Sequence, residues 1–153
     1  MATTTTDLER FDRHIAWHHL GDFEHFHYNV LAVDAEREIA DFIIRYAPEQ
    51  RIFLHRHRSE TRTFVIQGEH RIFEPDGNLK EVRPAGSYAV SPADAPPHSE
   101  GGGAHGALVL YNTRGSSNGV LFDVLDEHLG TIATLGLADV AALFEAQGSR
   151  AGG

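Results

Sequence analysis

Two histidines in the stretch HRHRSETRTFVIQG, which covers residues 55–68, are the side chains whose chemistry the sequence indicates most clearly. Side chains alternate between the two faces of a β-strand, so His55 and His57 share one face and lie close enough to bind one metal ion. The chain has no cysteine, which excludes disulfides and leaves nitrogen and oxygen as ligand atoms. Because two exposed histidines on a strand surface would give the same pattern, the pair alone does not establish a metal site.

Composition and charge narrow the classes of function. The 153 residues suffice for one domain with one core. A net charge of −9 leaves no basic patch for nucleic acid. No apolar run approaches the roughly 18 residues of a membrane-spanning helix, and the polar N terminus has no apolar signal-peptide core, so we expect a cytoplasmic protein without membrane contact. Eleven histidines are more than packing requires and need another explanation.

The elements that must position these histidines are mostly strands. After residue 20 the chain reads as short strands separated by turn residues, which is typical of an all-β sandwich or barrel. We therefore predict an N-terminal extension over residues 1–20, a β-barrel over residues 21–136, and a C-terminal helix and tail over residues 137–153.

Two helices are predicted at the ends of the chain. Thr6 and Glu9 form a capping-box pattern that predicts a short helix through Trp17. The segment LADVAALFEAQG predicts a C-terminal helix with an apolar stripe and a glycine cap. The stripe and the cap consist of Val140, Leu143, Phe144 and Gly148.

The residues that follow the first histidine pair form two groups with definite spacings. Thr61 follows His57 after three residues, and Gly68 follows Thr61 after six. Further along, Gly86 is followed after five residues by Pro92, and the tight turn ADAPP then leads to His98.

This order resembles the two-part signature of the cupin superfamily, G-x5-H-x-H-x3-4-E-x6-G and G-x5-P-x-G-x2-H-x3-N. The resemblance covers the chain from about Pro48 to Tyr111. It implies a conical β-barrel or jelly roll, and a metal ion bound by three histidines and one carboxylate. His55, His57 and His98 match the histidines of the two motifs.

The departures from the signature fall on the carboxylate and on the second motif. Thr61 occupies the position of the metal-binding glutamate, and strand alternation turns the neighbouring Glu60 to the opposite face. The second motif has Asp94 in place of its glycine, one extra residue before His98, and no terminal asparagine.

A fourth histidine is our candidate for the missing ligand. If Gly101 and Gly102 form a two-residue hairpin turn in HSEGGGAH, His98 and His105 lie directly opposite each other. Their Cβ atoms would then be about 5 Å apart on one face. We therefore predict a metal site made of His55, His57, His98 and His105. Alternatively, His105 begins the next strand as a cavity-lining or surface residue.

The other histidines lie outside the matching motifs. His25 and His27 form a second H-x-H pair and are the alternative to His105 as completing ligands. We otherwise expect the remaining histidines to be surface, rim or structural residues, a group that includes His14, His18, His70 and His128.

Two cupin enzyme families are similar to this chain in length, motif order and tail. One contains the metal-dependent polyketide cyclases, which close rings in poly-β-ketones by aldol condensation and dehydration. The other contains the histidine-only iron dioxygenases that cleave β-diketones or hydroxyacetophenones. Four histidines favour the cyclase, because a fourth ligand occupies a position that oxygen chemistry keeps free beside a bidentate substrate. A non-catalytic, ligand-sensing cupin is the third alternative.

The cyclase prediction includes a metal, a substrate cavity and partners. The cofactor is one divalent ion acting as a Lewis acid on the enolate, with zinc preferred and iron(II) or nickel as alternatives. The substrate is a polyketone, free or bound to a carrier protein, in antibiotic biosynthesis, and the cupin fold favours a homodimer paired through edge strands. Strand alternation and apolar character predict the cavity residues Phe53, Thr61, Thr63, Val65 and Tyr88.

Overall fold

The computed structural model describes residues 14–151, and within that range the chain forms nine β-strands followed by one helix. The all-β prediction is confirmed. The elements are β1 (Phe26–Asp34), β2 (Ile39–Tyr46), β3 (His55–His57), β4 (Glu60–Phe73), β5 (Leu79–Pro84), β6 (Tyr88–Ser91), β7 (Ser99–Arg114), β8 (Val120–Leu125), β9 (Thr131–Gly136) and α1 (Leu137–Ala151).

The strands form two antiparallel sheets around one core. The larger sheet has the order β1-β2-β7-β4-β5, with β6 also paired to β4, and the smaller sheet has the order β3-β8-β9. The main core cluster draws Val65 and Val109 from the larger sheet and Leu121 from the smaller one. The molecule is therefore a β-sandwich whose interior lies between the sheets.

Strand β4 shows how alternation sorts side chains between interior and solvent. Thr61, Thr63 and Val65 are buried, whereas the intervening Phe64 is 42% exposed. The sequence predicts a strand that ends at Gly68, but β4 continues to Phe73 with an irregular register at that glycine. The longer strand carries His70 into the interior, where it is fully buried.

Helix α1 packs against the edge of the larger sheet. Val140 is buried in the core and Leu143 packs against it, but Phe144 is 38% exposed and does not belong to the buried stripe. The Gln147 side-chain amide donates to the Val30 carbonyl and accepts from the Val30 N–H, both at 2.9 Å, and so supplies the edge strand with a hydrogen-bonding partner. The helix continues past Gly148, so that residue is not its cap.

The predicted N-terminal helix lies largely outside the described residues, and its described end, residues 14–17, is not helical. Within residues 14–151, no helix is both long and apolar enough to cross a membrane.

Candidate metal centre

Four side chains bring their metal-ligating atoms together between the two sheets. His55, His57, His98 and Glu100, which we name the ligand cluster, each offer one atom, and these atoms lie within 4.8 Å of one another. His55 and His57 project from β3, and Glu100 projects from β7. The backbones of His55 and His98 bond to each other in both directions at 3.0 Å, which fixes the two predicted motifs against each other.

The hydrogen bonds of His57 turn one ring nitrogen toward the cluster as an acceptor. The Thr61 hydroxyl donates to the Ser59 carbonyl at 3.1 Å, so its oxygen accepts from His57 Nδ1–H at 2.8 Å. His57 Nε2 is then the nitrogen with the free lone pair, and this buried atom has no hydrogen-bond partner. Burial, reinforced by the neighbouring charge of His55, lowers the pKa of His57 well below its usual value, which favours the neutral, ligating form.

His55 lies between two acceptors, which is the arrangement of a metal ligand. Its Nδ1 donates to the Phe53 carbonyl at 3.1 Å, and its Nε2 faces Glu100 Oε2 at 2.8 Å. A neutral imidazole has one N–H and cannot donate to both groups. Either a second proton or a cation must therefore lie on the Nε2 side, and a divalent ion bound by imidazole and carboxylate satisfies both groups.

Glu100 supplies the negative charge of the cluster. Burial opposes its ionisation, but hydrogen bonds from His55, His70 and His98 outweigh burial and hold the pKa of Glu100 well below its usual range. Its Oε2 lies 3.5 Å from His98 Nε2, and the His98 side chain is only 12% exposed. Three imidazoles and one carboxylate fit a divalent ion such as zinc, iron(II) or nickel, and ligand type alone does not select among them.

The other oxygen of Glu100 faces a buried polar network. Oε1 accepts from His70 Nε2 at 2.7 Å and from the Tyr111 hydroxyl at 2.8 Å. The Tyr46 hydroxyl is hydrogen-bonded to that of Tyr111. Burial and the charge of Glu100 raise the pKa of both tyrosines well above its usual value, so both phenols stay neutral.

An apolar cavity of about 170 Å³ lies beside the ligand cluster. His55, Glu100 and Tyr111 line its polar end, and most of the remaining wall is apolar. The aromatic part of this wall includes Phe23, Phe42, Phe53 and Phe122. This arrangement suits a small ligand with a polar group at the cluster and an apolar body in the cavity.

The predicted fourth ligand, His105, does not join the cluster. The chain makes no hairpin at Gly101 and Gly102, because β7 runs from Ser99 to Arg114 and both glycines pair with β4. A Cβ atom at Gly101 would lie 1.9 Å from the Gln50 carbonyl oxygen, so this glycine serves a close backbone approach. Residues 103–106 bulge out of the pairing between β7 and β4, and this bulge leaves His105 exposed.

Sequence reasoning missed Glu100 although a signal was present. His98 and Glu100 stand two residues apart, as His55 and His57 do, and the same alternation places both on one face of a strand. The predicted turn at Gly101 and Gly102 makes His105, and not Glu100, the expected fourth ligand. His70, for which the sequence leaves a structural and an exposed position open, has the structural one and is buried against Glu100.

The residues predicted to line the cavity differ in where the structure places them: one lines the cavity, three are buried elsewhere, and one is exposed. Phe53 lines the cavity beside the ligand cluster. Thr61, Thr63 and Val65 are buried in β4 but are not among the lining residues, and Thr61 bonds to His57 instead. Tyr88 is 58% exposed, because it pairs in register with the outward-facing Phe64, so its assignment to the cavity is wrong.

The rival histidine pair, His25 and His27, is also absent from the cluster. His25 is exposed, and His27 Nε2 lies 3.1 Å from His19 Nε2 on the outer side of β1. His128 is exposed in a turn, in agreement with the prediction.

Several solved structures share the fold of this chain. A cupin protein of the RmlC-like type from Ralstonia eutropha is 14% identical over 88% of this chain and 82% of its own, with a TM-score of 0.72. An acetylacetone dioxygenase from Acinetobacter johnsonii is 14% identical over 85% of each chain, with a TM-score of 0.67. The polyketide cyclase RemF from Streptomyces resistomycificus is 16% identical over 67% of this chain and 75% of its own, with a TM-score of 0.55.

At these identities the structural similarity concerns the fold alone, and it confirms the predicted cupin sandwich. No curated protein matches the sequence. The family described as the ChrR cupin-like domain matches residues 9–117, which is most of the chain and includes the whole ligand cluster. The chain therefore belongs to the ChrR cupin-like domain family.

Proposed function

We propose that this protein is a metal-dependent dioxygenase that cleaves a small β-diketone. The observation that supports the proposal best is the apolar cavity of about 170 Å³ next to His55 and Glu100. The acetylacetone dioxygenases among the proteins of similar fold agree with this choice of reaction.

The size of the cavity distinguishes between the substrates. An apolar protein cavity of about 150 Å³ holds a molecule of the size of benzene, whereas sites for larger ligands occupy about 300–1,000 Å³. A short β-diketone is close to benzene in size, whereas a folded poly-β-ketone needs a site of the larger class. The volume of this cavity therefore favours the short diketone.

A fourth protein ligand does not by itself exclude oxygen chemistry. The argument for ring closure placed His105 in that position, and His105 is exposed. Glu100 takes the fourth place in the cluster with one oxygen, Oε2, facing the histidines. An ion with four protein ligands retains one or two exchangeable positions if it is five- or six-coordinate. A ligand in the cavity could reach those positions, because the cavity borders the cluster.

The chain's own residues would bind and orient the diketone. The rings of Phe42, Phe53 and Phe122 pack on its alkyl groups and exclude water. The charge of Glu100 and the neutral phenols of Tyr46 and Tyr111 border the end where the two diketone oxygens would lie. When bound, the ion would stabilise the enolate as a Lewis acid and, as iron(II), would assist the reaction with O2, while the diketone itself supplies the electrons that reduce O2.

The overall reaction is balanced without another reductant. One β-diketone and one O2 give one carboxylic acid and one 2-oxoaldehyde, because both oxygen atoms enter the products and one carbon–carbon bond breaks.

Ring closure of a poly-β-ketone is the second candidate. It is favoured by the aromatic cavity wall and by the fold similarity to RemF, and it needs a cavity that enlarges. A carrier-bound substrate, a role in antibiotic biosynthesis and a homodimer remain predictions of the sequence. A ligand-sensing role without catalysis is the third candidate.

A single preparation tests the three functions. The protein is reconstituted with iron(II) or with zinc and mixed with acetylacetone, while an oxygen electrode records O2 and chromatography records the products. We expect one O2 consumed per diketone with iron(II) and none with zinc. Loss of acetylacetone without O2 uptake would contradict the dioxygenase, and binding without turnover would favour a sensor. Ring closure is tested in the same assay with a longer poly-β-ketone, which would be converted to a dehydrated cyclic product without O2 uptake. His105→Ala serves as the matched control, because an exposed histidine outside the cluster should leave turnover unchanged.

A further inference from the structure

We infer that His70 and Tyr111 are positioning residues that restrict Glu100 to one metal-facing oxygen. The inference rests on the metal-binding part of the proposed function and is independent of the reaction that the site catalyses.

The two oxygens of Glu100 have different partners. Oε1 lies 2.7 Å from His70 Nε2 and 2.8 Å from the Tyr111 hydroxyl, and both groups donate to it. Oε2 lies 2.8 Å from His55 Nε2 and 3.5 Å from His98 Nε2, on the side of the ligand cluster. Each carboxylate oxygen has about two lone-pair directions, so the two donors saturate Oε1. A metal ion would therefore meet Oε2 alone.

Ring packing holds both donors in place. The His70 ring is stacked on Tyr46, with centroids 5.4 Å apart and planes at 18°, and the Tyr111 ring is stacked on Phe42 at 5.0 Å and 5°. His70 is fully buried and Tyr111 is 2% exposed, so neither ring can turn away into solvent. The two donors therefore hold the Glu100 carboxylate in place from the side opposite the ligand cluster.

His70 has an unsatisfied buried nitrogen, which indicates that its hydrogen bond to Glu100 is important. His70 donates through Nε2, so its Nδ1 carries a lone pair, and that buried atom has no hydrogen-bond partner. An apolar side chain at this place would avoid an unsatisfied polar atom. The imidazole is therefore explained by its bond to Glu100 and not by packing alone.

A carboxylate that cannot chelate through both oxygens leaves one more coordination position free. That position would be available to a ligand entering from the cavity, which Glu100 and Tyr111 both line. His70 and Tyr111 would thus set how many ligands the site accepts, without touching the ion themselves.

Metal binding of four proteins tests the inference: the wild type, Tyr111→Phe, His70→Leu and His70→Gln. Affinity for zinc is measured by competition with a chromophoric chelator, and the visible absorption of the Co(II)-loaded proteins reports coordination number. Loss of a residue that orients a metal ligand typically weakens metal binding about 10–100-fold. We expect a loss in this range for His70→Leu, a smaller loss for Tyr111→Phe, and recovery in His70→Gln, whose amide N–H replaces the Nε2 donor. The Co(II) band should weaken as Glu100 becomes bidentate in the first two variants.

The outcomes separate this inference from the metal site itself. The inference is wrong if the wild type binds metal and both Tyr111→Phe and His70→Leu show the same affinity and spectrum as the wild type. That result would not contradict the metal site. A wild-type protein that binds no zinc or Co(II) would overturn both. Tyr111→Phe removes one hydroxyl only, so it keeps the test decisive if His70→Leu fails to fold.

Discussion

The chain contains two H-x-H pairs, and they lie in very different surroundings. His55 and His57 are both 3% exposed on β3, where His98 and Glu100 approach them. His25 and His27 flank the start of β1 on the outside of the sandwich. His25 is exposed with a φ of 76°, so it precedes the strand and does not share the regular alternation.

The contrast shows that spacing alone does not make a metal site. In the outer pair, the His27 ring lies against His19, with ring centroids 4.2 Å apart. Arg45 on β2 lies opposite His27 in register. The Glu24 carboxylate lies 3.5 Å from His25 Nε2, but within residues 14–151 the outer pair is not part of a group of three or more potential ligand atoms that converge on one point. Among the described residues, a carboxylate and a third imidazole converge with both histidines of a pair on β3, because the backbone bridge between His55 and His98 brings the second motif there.

The largest expected effect comes from removing one histidine from each pair. His57→Ala should lower zinc affinity more than about 100-fold, since loss of a ligand should exceed the effect of losing a residue that orients one. His27→Ala is the matched control and should bind zinc as the wild type does. Metal content after dialysis and chelator competition measure both. Equal losses in the two variants would mean that the pairs are equivalent.

A smaller effect should follow from the partner of His57. Thr61→Val removes the hydroxyl that accepts from His57 Nδ1 and leaves a buried N–H without its partner, which typically costs about 1–3 kcal/mol. We expect zinc affinity to fall about tenfold, at the low end for groups that orient ligands. Thr61→Ser retains the hydroxyl and should behave as the wild type. Wild-type affinity in Thr61→Val would show that the tautomer of His57 is set by something else.

The smallest effect concerns the outer pair and pH. Burial, His19 and Arg45 lower the pKa of His27 below 6.5. The unfolded chain therefore binds this proton before the folded chain does, and stability falls as pH drops through 6.5. His27→Gln should reduce the loss of stability between pH 7 and pH 5 only slightly, by a few tenths of a kcal/mol or less, because solvent and salt screen charges near the surface. An NMR titration that places the pKa of His27 at or above 6.5 would contradict the sign.

The sequence predicted the fold and three of the four cluster residues because their signals are local. Strand alternation placed His55, His57 and the inward side chains of β4, and motif spacing connected them with His98. Glu100 was not predicted, because its place depends on whether Gly101 and Gly102 turn or continue. That choice is made by the backbone of residues 50 and 51, which passes close to Gly101, and such a contact distant in sequence cannot be read from the glycines themselves.

Strand β9 and the continuation of β4 beyond Gly68 were not predicted, for a related reason. The residues of β9 are mostly exposed and show little apolar alternation, so pairing with β8 gives the strand its order. His70 follows a glycine that usually ends a strand, yet β4 continues through it.

The reciprocal backbone bonds between His55 and His98 have a consequence for how an ion enters. These two ligands cannot separate unless both bonds break, so their spacing is set by folding and does not wait for the ion. Uptake then costs little ordering of the chain, and one metal can be exchanged for another while the protein stays folded. Which metal occupies the site in a cell would accordingly depend on supply and on affinity, and not on which ion was present during folding.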